Sequence, residues 1–187
     1  MAEPQFNPAH ALKIDLGCGH VTLHGQAPCL VVPKGALLEL LGAAGEEAAR
    51  NFGQQLGVAA GHRIAESLGS GIHQASIGSF VDHLGGEIAI LGLGSLAVER
   101  WGQALVIVIE GAPLGRPGVA LVSAVVAGAL QRALSRDATA VELMQSEGTL
   151  RLLIASKAAA RKVQQWLAQS VPWGDVLTRL HEPRGEA

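Results

Sequence analysis

From Val119 to Leu130 the chain carries no charged side chain, and apolar residues run round the whole helical circumference until Gln131 and Arg132. A helix that is apolar on every side has to be enclosed, either inside a domain or in a bilayer. The apolar stretch from Gly118 to Leu130 is shorter than the roughly 20 residues that span a bilayer. The next most apolar run, Gly85 to Val98, is interrupted by Glu87. Both are therefore expected in a protein core, with no membrane span. A length of 187 residues suits one domain with a substantial core, and the rest of the chain must supply the layers that cover this helix.

One covering layer is legible between Leu37 and Leu68, where the apolar spacing is helical and a break is expected near Gly42–Gly45 or later. Ala49, Gly53, Gly57, Gly61 and Ala65 recur every fourth residue. They form a ridge of small side chains that lets another helix approach closely, in the packing class built on four-residue rows. That helix can belong to the same chain or to a second copy across a homodimer seam.

The other layer is a sheet. Leu105-Val106-Ile107-Val108-Ile109 is β-branched and apolar on both faces, which predicts a central, covered strand. It pairs with Leu96–Arg100 across Trp101-Gly102-Gln103. Thr139–Met144 and Thr149–Ala155 make a second hairpin across Ser146-Glu147-Gly148. Ser156 is placed to cap a helix from Lys157 to Gln169, and a last short helix is expected from Asp175. Ile77 to Leu84 reads as a further short helix after a Gly/Ser-rich connection over Ser70–Ser76. Nearer the start, Leu12–Leu16 and Val21–His24 pair across Gly17–Gly19, and Leu30-Val31-Val32 forms a short third strand. Residues 1–11 read as a flexible arm, and residues 12–187 as a single α+β domain in which an antiparallel sheet of two hairpins packs against helices.

Composition bounds the function. Lys plus Arg number 14 against 16 Asp plus Glu, a net charge of −2, which supplies no basic surface for nucleic acid. Met1-Ala2-Glu3-Pro4-Gln5 lacks the basic-then-apolar pattern of a signal peptide, and two cysteines make no disulfide framework. A cytoplasmic protein with reduced thiols is expected.

No reactive constellation stands out. Ile14-Asp15-Leu16-Gly17-Cys18-Gly19 resembles the nucleotide loop of S-adenosylmethionine-dependent methyltransferases, but strand-like His20–His24 follows where that motif needs a helix. Cys18, His20, His24 and Cys29 are zinc-compatible types, in a spacing that matches no closed zinc site. His62, His73, His83 and His181 are scattered. Ser67, Ser70 and Ser79 lack a nucleophile motif, and nothing points to a cofactor. Val122, Val125, Val126 and Leu130 are candidate walls for an apolar pocket between the buried helix and the sheet, with plain core packing as the competing use. Trp166 and Trp173 either dock the C-terminal helices or anchor a partner.

The element order, together with Val31-Val32-Pro33, Gly53, Gly57 and Gly61, Leu93-Gly94 to Glu110, Gly118–Leu134 and Val141-Glu142 to Gly148, resembles the four-vinyl-reductase domain family. That family shares its fold with the small subunits of the TRAPP vesicle-tethering complex. Many members carry a Cys pair around the final hairpin; here Gln145 and Arg151 lie in that region and no Cys does. The resemblance implies a binding module, often dimeric, with an apolar ligand cavity in some members. The expected function is a non-enzymatic adaptor or regulatory domain that contacts a protein partner and itself as a homodimer. The alternative is a sensor domain for an apolar small molecule, and a more distant one is a methyltransferase.

Overall fold

The computed structural model describes residues 6–25, 27–69, 77–102, 104–113, 115–134 and 138–181. The chain is α+β. A three-stranded antiparallel sheet near the start comprises β1 (Leu12–Asp15), β2 (His20–Leu23) and β3 (Ala27–Cys29). Helices α1 (Lys34–Ala44), α2 (Glu46–Leu68) and α3 (Ile77–Ile90) follow, then the hairpin β4 (Ser95–Trp101) and β5 (Ala104–Glu110). Helix α4 (Arg116–Leu134) leads to a second hairpin, β6 (Ala138–Ser146) and β7 (Thr149–Ser156), and then to α5 (Lys157–Ala168) and α6 (Trp173–His181).

The two hairpins form one antiparallel sheet in the order β4-β5-β7-β6. Strand β5 is internal, and helices cover both faces of the sheet over it, which explains its unbroken apolar run. Ile107 and Ile109 join Leu150 and Leu152 in a core shared with α2, α3 and α4. Val106 and Val108 point the other way and pack with Leu153 against Val163 of α5 and Val176 and Leu177 of α6. The Ser156 hydroxyl accepts a hydrogen bond from the Ala159 amide at 3.3 Å and caps α5.

The small-residue ridge packs inside the chain, on α4. A Cβ added at Gly53, Gly57 or Gly61 would overlap the carbonyl oxygen of Leu121, Val125 or Ala129 respectively. Both sets advance by four residues in the same direction, so α2 and α4 run parallel, backbone against backbone. Val122, Val125, Val126 and Leu130 are all buried in the main core that this contact encloses. Helix α4 is long and apolar enough to cross a membrane, but 72% of that segment is buried within the protein.

Three expectations differ from the structure. The third strand is Ala27–Cys29, whereas Leu30, Val31 and Val32 are exposed and outside any strand. Apolar character alone drew the strand there, but the pairing of Val21 with Cys29 ends the ladder before Leu30. Helix α3 does not end at Leu84 but continues through Gly85 and Gly86 to Ile90. Residues 6–11 are docked, not free: Ala11 is buried, Pro8–His10 forms a 3-10 turn, and the Phe6 amide donates to the Asp82 carboxylate at 3.0 Å. The break between α1 and α2 falls at Gly45, whose φ of 94° suits glycine. The Ser70–Ser76 connection lies outside the described residues.

At the edge of the second core, Trp101 and Trp173 stack edge to face at 5.2 Å, and the Arg151 guanidinium lies 5.7 Å over Trp173. Hydrogen bonds from Arg151 and then Trp101 hold the Glu99 carboxyl below the usual carboxylate range.

Gly57→Ala is expected to lower the unfolding free energy by about 3 kcal/mol, since the new methyl meets rigid backbone. Gly42→Ala, on α1 with open space around it, should raise it by up to about 1 kcal/mol. Urea denaturation at one protein concentration checks both. Because the folded-state pKa of Glu99 is depressed, its contribution is present above the unfolded pKa and lost as pH falls through the folded one. The destabilisation caused by Glu99→Gln should therefore shrink on acidification, read by melts at neutral and acid pH.

Candidate functional site

Helix α3 turns Phe80, His83, Leu84, Glu87 and Ile88 inward, a spacing of three and four residues that puts two polar groups on its buried face. Glu87 is only 2% exposed and His83 4%. A carboxylate this deep needs partners. Arg63 on α2 supplies them: its Nη2 donates to Oε2 at 2.6 Å, and its Nε lies 3.1 and 3.2 Å from Oε1 and Oε2. This is the paired geometry in which a planar guanidinium binds a carboxylate most strongly. The turn of the ridge that sets Gly61 on α4 brings the neighbouring Arg63 towards α3.

His24 closes the third side. It follows β2 with a φ of 50°, and its amide donates to the Ala11 carbonyl at 2.7 Å. Its Nε2 lies 3.0 Å from Glu87 Oε1. The buried Nε2 makes no well-directed hydrogen bond among the described residues. The His83 Nδ1 lies 3.0 Å from the Ser79 carbonyl oxygen. A carbonyl only accepts, so the proton sits on Nδ1.

The N-terminal segment roofs this cluster. The Phe6 ring stands edge-on to His24 at 6.1 Å and to His83 at 6.2 Å, in a slot over Gly86 that any Cβ there would fill. Beneath it lies a cavity of about 330 Å³ lined by Phe6, Asn7, His24, Ile64, Ser67, His83 and Glu87. A second cavity of about 270 Å³ shares His24 and Ser67 and reaches Arg63. The volume suits a small ligand, and the mixture of an apolar wall with a few convergent polar groups is that of a binding pocket.

Other candidates are placed differently. Cys18 sits exposed in the β1–β2 turn, His20 is exposed on β2, and Cys29 is half-buried on β3. Cys18 in its turn and His24 with its positive φ both lie outside β2. Among the described residues no three His, Cys, Asp or Glu side chains are placed to hold a metal. The glycine loop is a hairpin turn: Asp15 Oδ1 accepts from the Gly17 and Cys18 amides at 3.0 and 3.1 Å, and antiparallel β2 follows. His62 accepts from Arg132 at 2.9 Å on the surface. Ser70 and His73 lie outside the described residues. Val122, Val125, Val126 and Leu130 line neither cavity beside Glu87. Arg63 was not legible as a site residue, whereas Glu87 signalled itself as the lone charge in an apolar run.

Removing one member of the pair leaves the other buried alone. Glu87→Ala should cost about 3 kcal/mol in urea denaturation, while the double replacement Arg63→Met with Glu87→Leu should cost under about 1 kcal/mol. Equal losses from the single and double variants would mean the pair is not what holds this corner together.

No family model matches the sequence, and none of the curated proteins matches it. Among solved structures, the chain is similar to the phenol-responsive sensory domain of the transcription activator PoxR, determined with phenol. The two share 15% sequence identity with a TM-score of 0.60, over 95% of this chain and 94% of that one. At this identity the likeness concerns the fold alone.

Proposed function

We propose that this chain is a sensory module that binds a small, mainly apolar molecule bearing one hydrogen-bonding group. The observation that carries the reading is the cavity under Phe6, with Glu87 and His83 buried in its wall and the His24 ring nitrogen short of a hydrogen bond. A hydroxyl entering there can engage His24 or Glu87 while Ile64 and Phe6 take its apolar part. The fold likeness to a phenol-responsive sensory domain determined with phenol supports a small-molecule role. So does the four-vinyl-reductase resemblance, which includes members with an apolar cavity.

Binding without chemistry fits the pairing. Glu87 is committed to Arg63, so it is not a free acid or base aimed at a substrate. A regulatory role through protein contacts, including a homodimer, has one favouring observation. Ile14, Leu16, Leu30, Val31 and Leu40 are all exposed on the N-terminal sheet, the segment after it and α1, and apolar side chains in such number suit a protein partner.

Calorimetric titration with phenol, cyclohexanol and toluene tests the sensor reading. Saturable binding is expected for a hydroxyl-bearing probe, weaker for toluene, with the hydroxyl probe losing about tenfold in Glu87→Gln. A ligand at 100 times its Kd should add about 2.7 kcal/mol to stability. If no probe saturates, or the variant binds all three as the parent does, this is not the ligand site.

A further inference from the structure

The Phe6 ring stands between two cavities and belongs to the wall of both. On one side is the pocket that holds His24, His83 and Glu87. On the other a groove of about 760 Å³ is bounded by α3 and β4, with Val81, Ala89, Ile90 and Leu96 as its apolar lining. At about 330 Å³ the inner pocket is at the small end of the range for ligand sites. Ile64 and Ser67 of its wall are fixed on α2, and His83 and Glu87 on α3, whereas Phe6 and Asn7 come from the N-terminal segment.

That segment is anchored at its two ends. Ala11 is 1% exposed, and its carbonyl accepts from the His24 amide. At the other end the Phe6 ring lies over Gly86 and the Phe6 amide donates to Asp82. Asn7, Pro8 and Ala9 between them are exposed, and the Asn7 side chain bonds back onto the Ala9 amide at 3.0 Å. A stretch with so few buried contacts opens at low free energy while the rest stays folded. Gly86 marks the seat of the ring independently. A glycine inside a helix is destabilising relative to alanine, and a Cβ at Gly86 would meet the Phe6 ring before any other group.

We propose that Phe6 is a hinged partition that sets the size of ligand this pocket accepts. Docked over Gly86, it closes the pocket around a compact molecule such as a single ring. Swung away about Ala11, it joins the pocket to the groove, where a second ring meets Val81, Ile90 and Leu96. The inference rests on the small-molecule reading of this pocket. It adds that selection between short and long ligands lies with a residue of the N-terminal segment and not with the polar groups.

The test is calorimetric titration of the parent, Phe6→Ala and Gly86→Ala with phenol and with 4-phenylphenol. The parent should bind phenol about tenfold more tightly than 4-phenylphenol. In Phe6→Ala, phenol should weaken about fivefold for want of the ring contact, and 4-phenylphenol should tighten about tenfold as its second ring is buried in the groove. Gly86→Ala keeps every inner-pocket side chain and favours α3, so it should shift the ratio in the same direction and speed hydrogen exchange at the Phe6 amide. Phenol saturating the parent with one unchanged ratio in all three proteins would overturn the partition and leave the sensor reading standing. Loss of both probes together in Phe6→Ala would do the same. Failure of phenol to bind the parent would remove the sensor reading and the partition with it.

Discussion

The backbones of α2 and α4 lie in direct contact along the line of Gly53, Gly57 and Gly61, and much of the rest is arranged around that contact. Side chains at those positions would hold the helices apart and loosen the close packing of the core they enclose. With them absent, α4 sits deep enough for one face to meet α2 while another meets the sheet. The matched four-residue steps also make the pair parallel, so both N-termini fall at one end of the molecule. At the other end the same register presents Arg63 to α3.

The Glu87 cluster is the energetic exception in an aliphatic interior. A carboxylate at 2% exposure is tolerable only because a guanidinium grips both of its oxygens. An apolar pair of similar size would fill the corner at less cost, so its value is better sought in recognition than in stability. The roof is built from a few contacts: the Phe6 ring in the Gly86 slot, the Asp82 carboxylate on the Phe6 amide, and His24 held by Ala11. Each is a short-range contact that keeps a cavity between two helices and a small sheet.

Most of the secondary structure was legible because periodicity carries it. The β5 run, the two hairpins, the Ser156 cap and the break at Gly45 all follow from patterns a few residues long. Leu30-Val31-Val32 misled for the same reason: three apolar residues look like a strand, and only the pairing of β2 with Ala27–Cys29 shows that the ladder has already ended. Residues 6–11 gave no periodic signal, because their order comes from contacts with α3. In the candidate site, Glu87 and its four-residue relation to His83 could be seen, but Arg63 looked like any exposed charge of a helix.

The sequence by itself determined most of the helices and strands, that α4 must be enclosed, and that α2 carries a face smooth enough for another helix to touch, since these depend on residue type and local spacing. Tertiary structure alone decided that the touching helix is α4 in parallel register and that Arg63, His24 and Glu87 converge. Those are relations between residues far apart in the chain, set by the depth and direction of packing, and no local pattern encodes them.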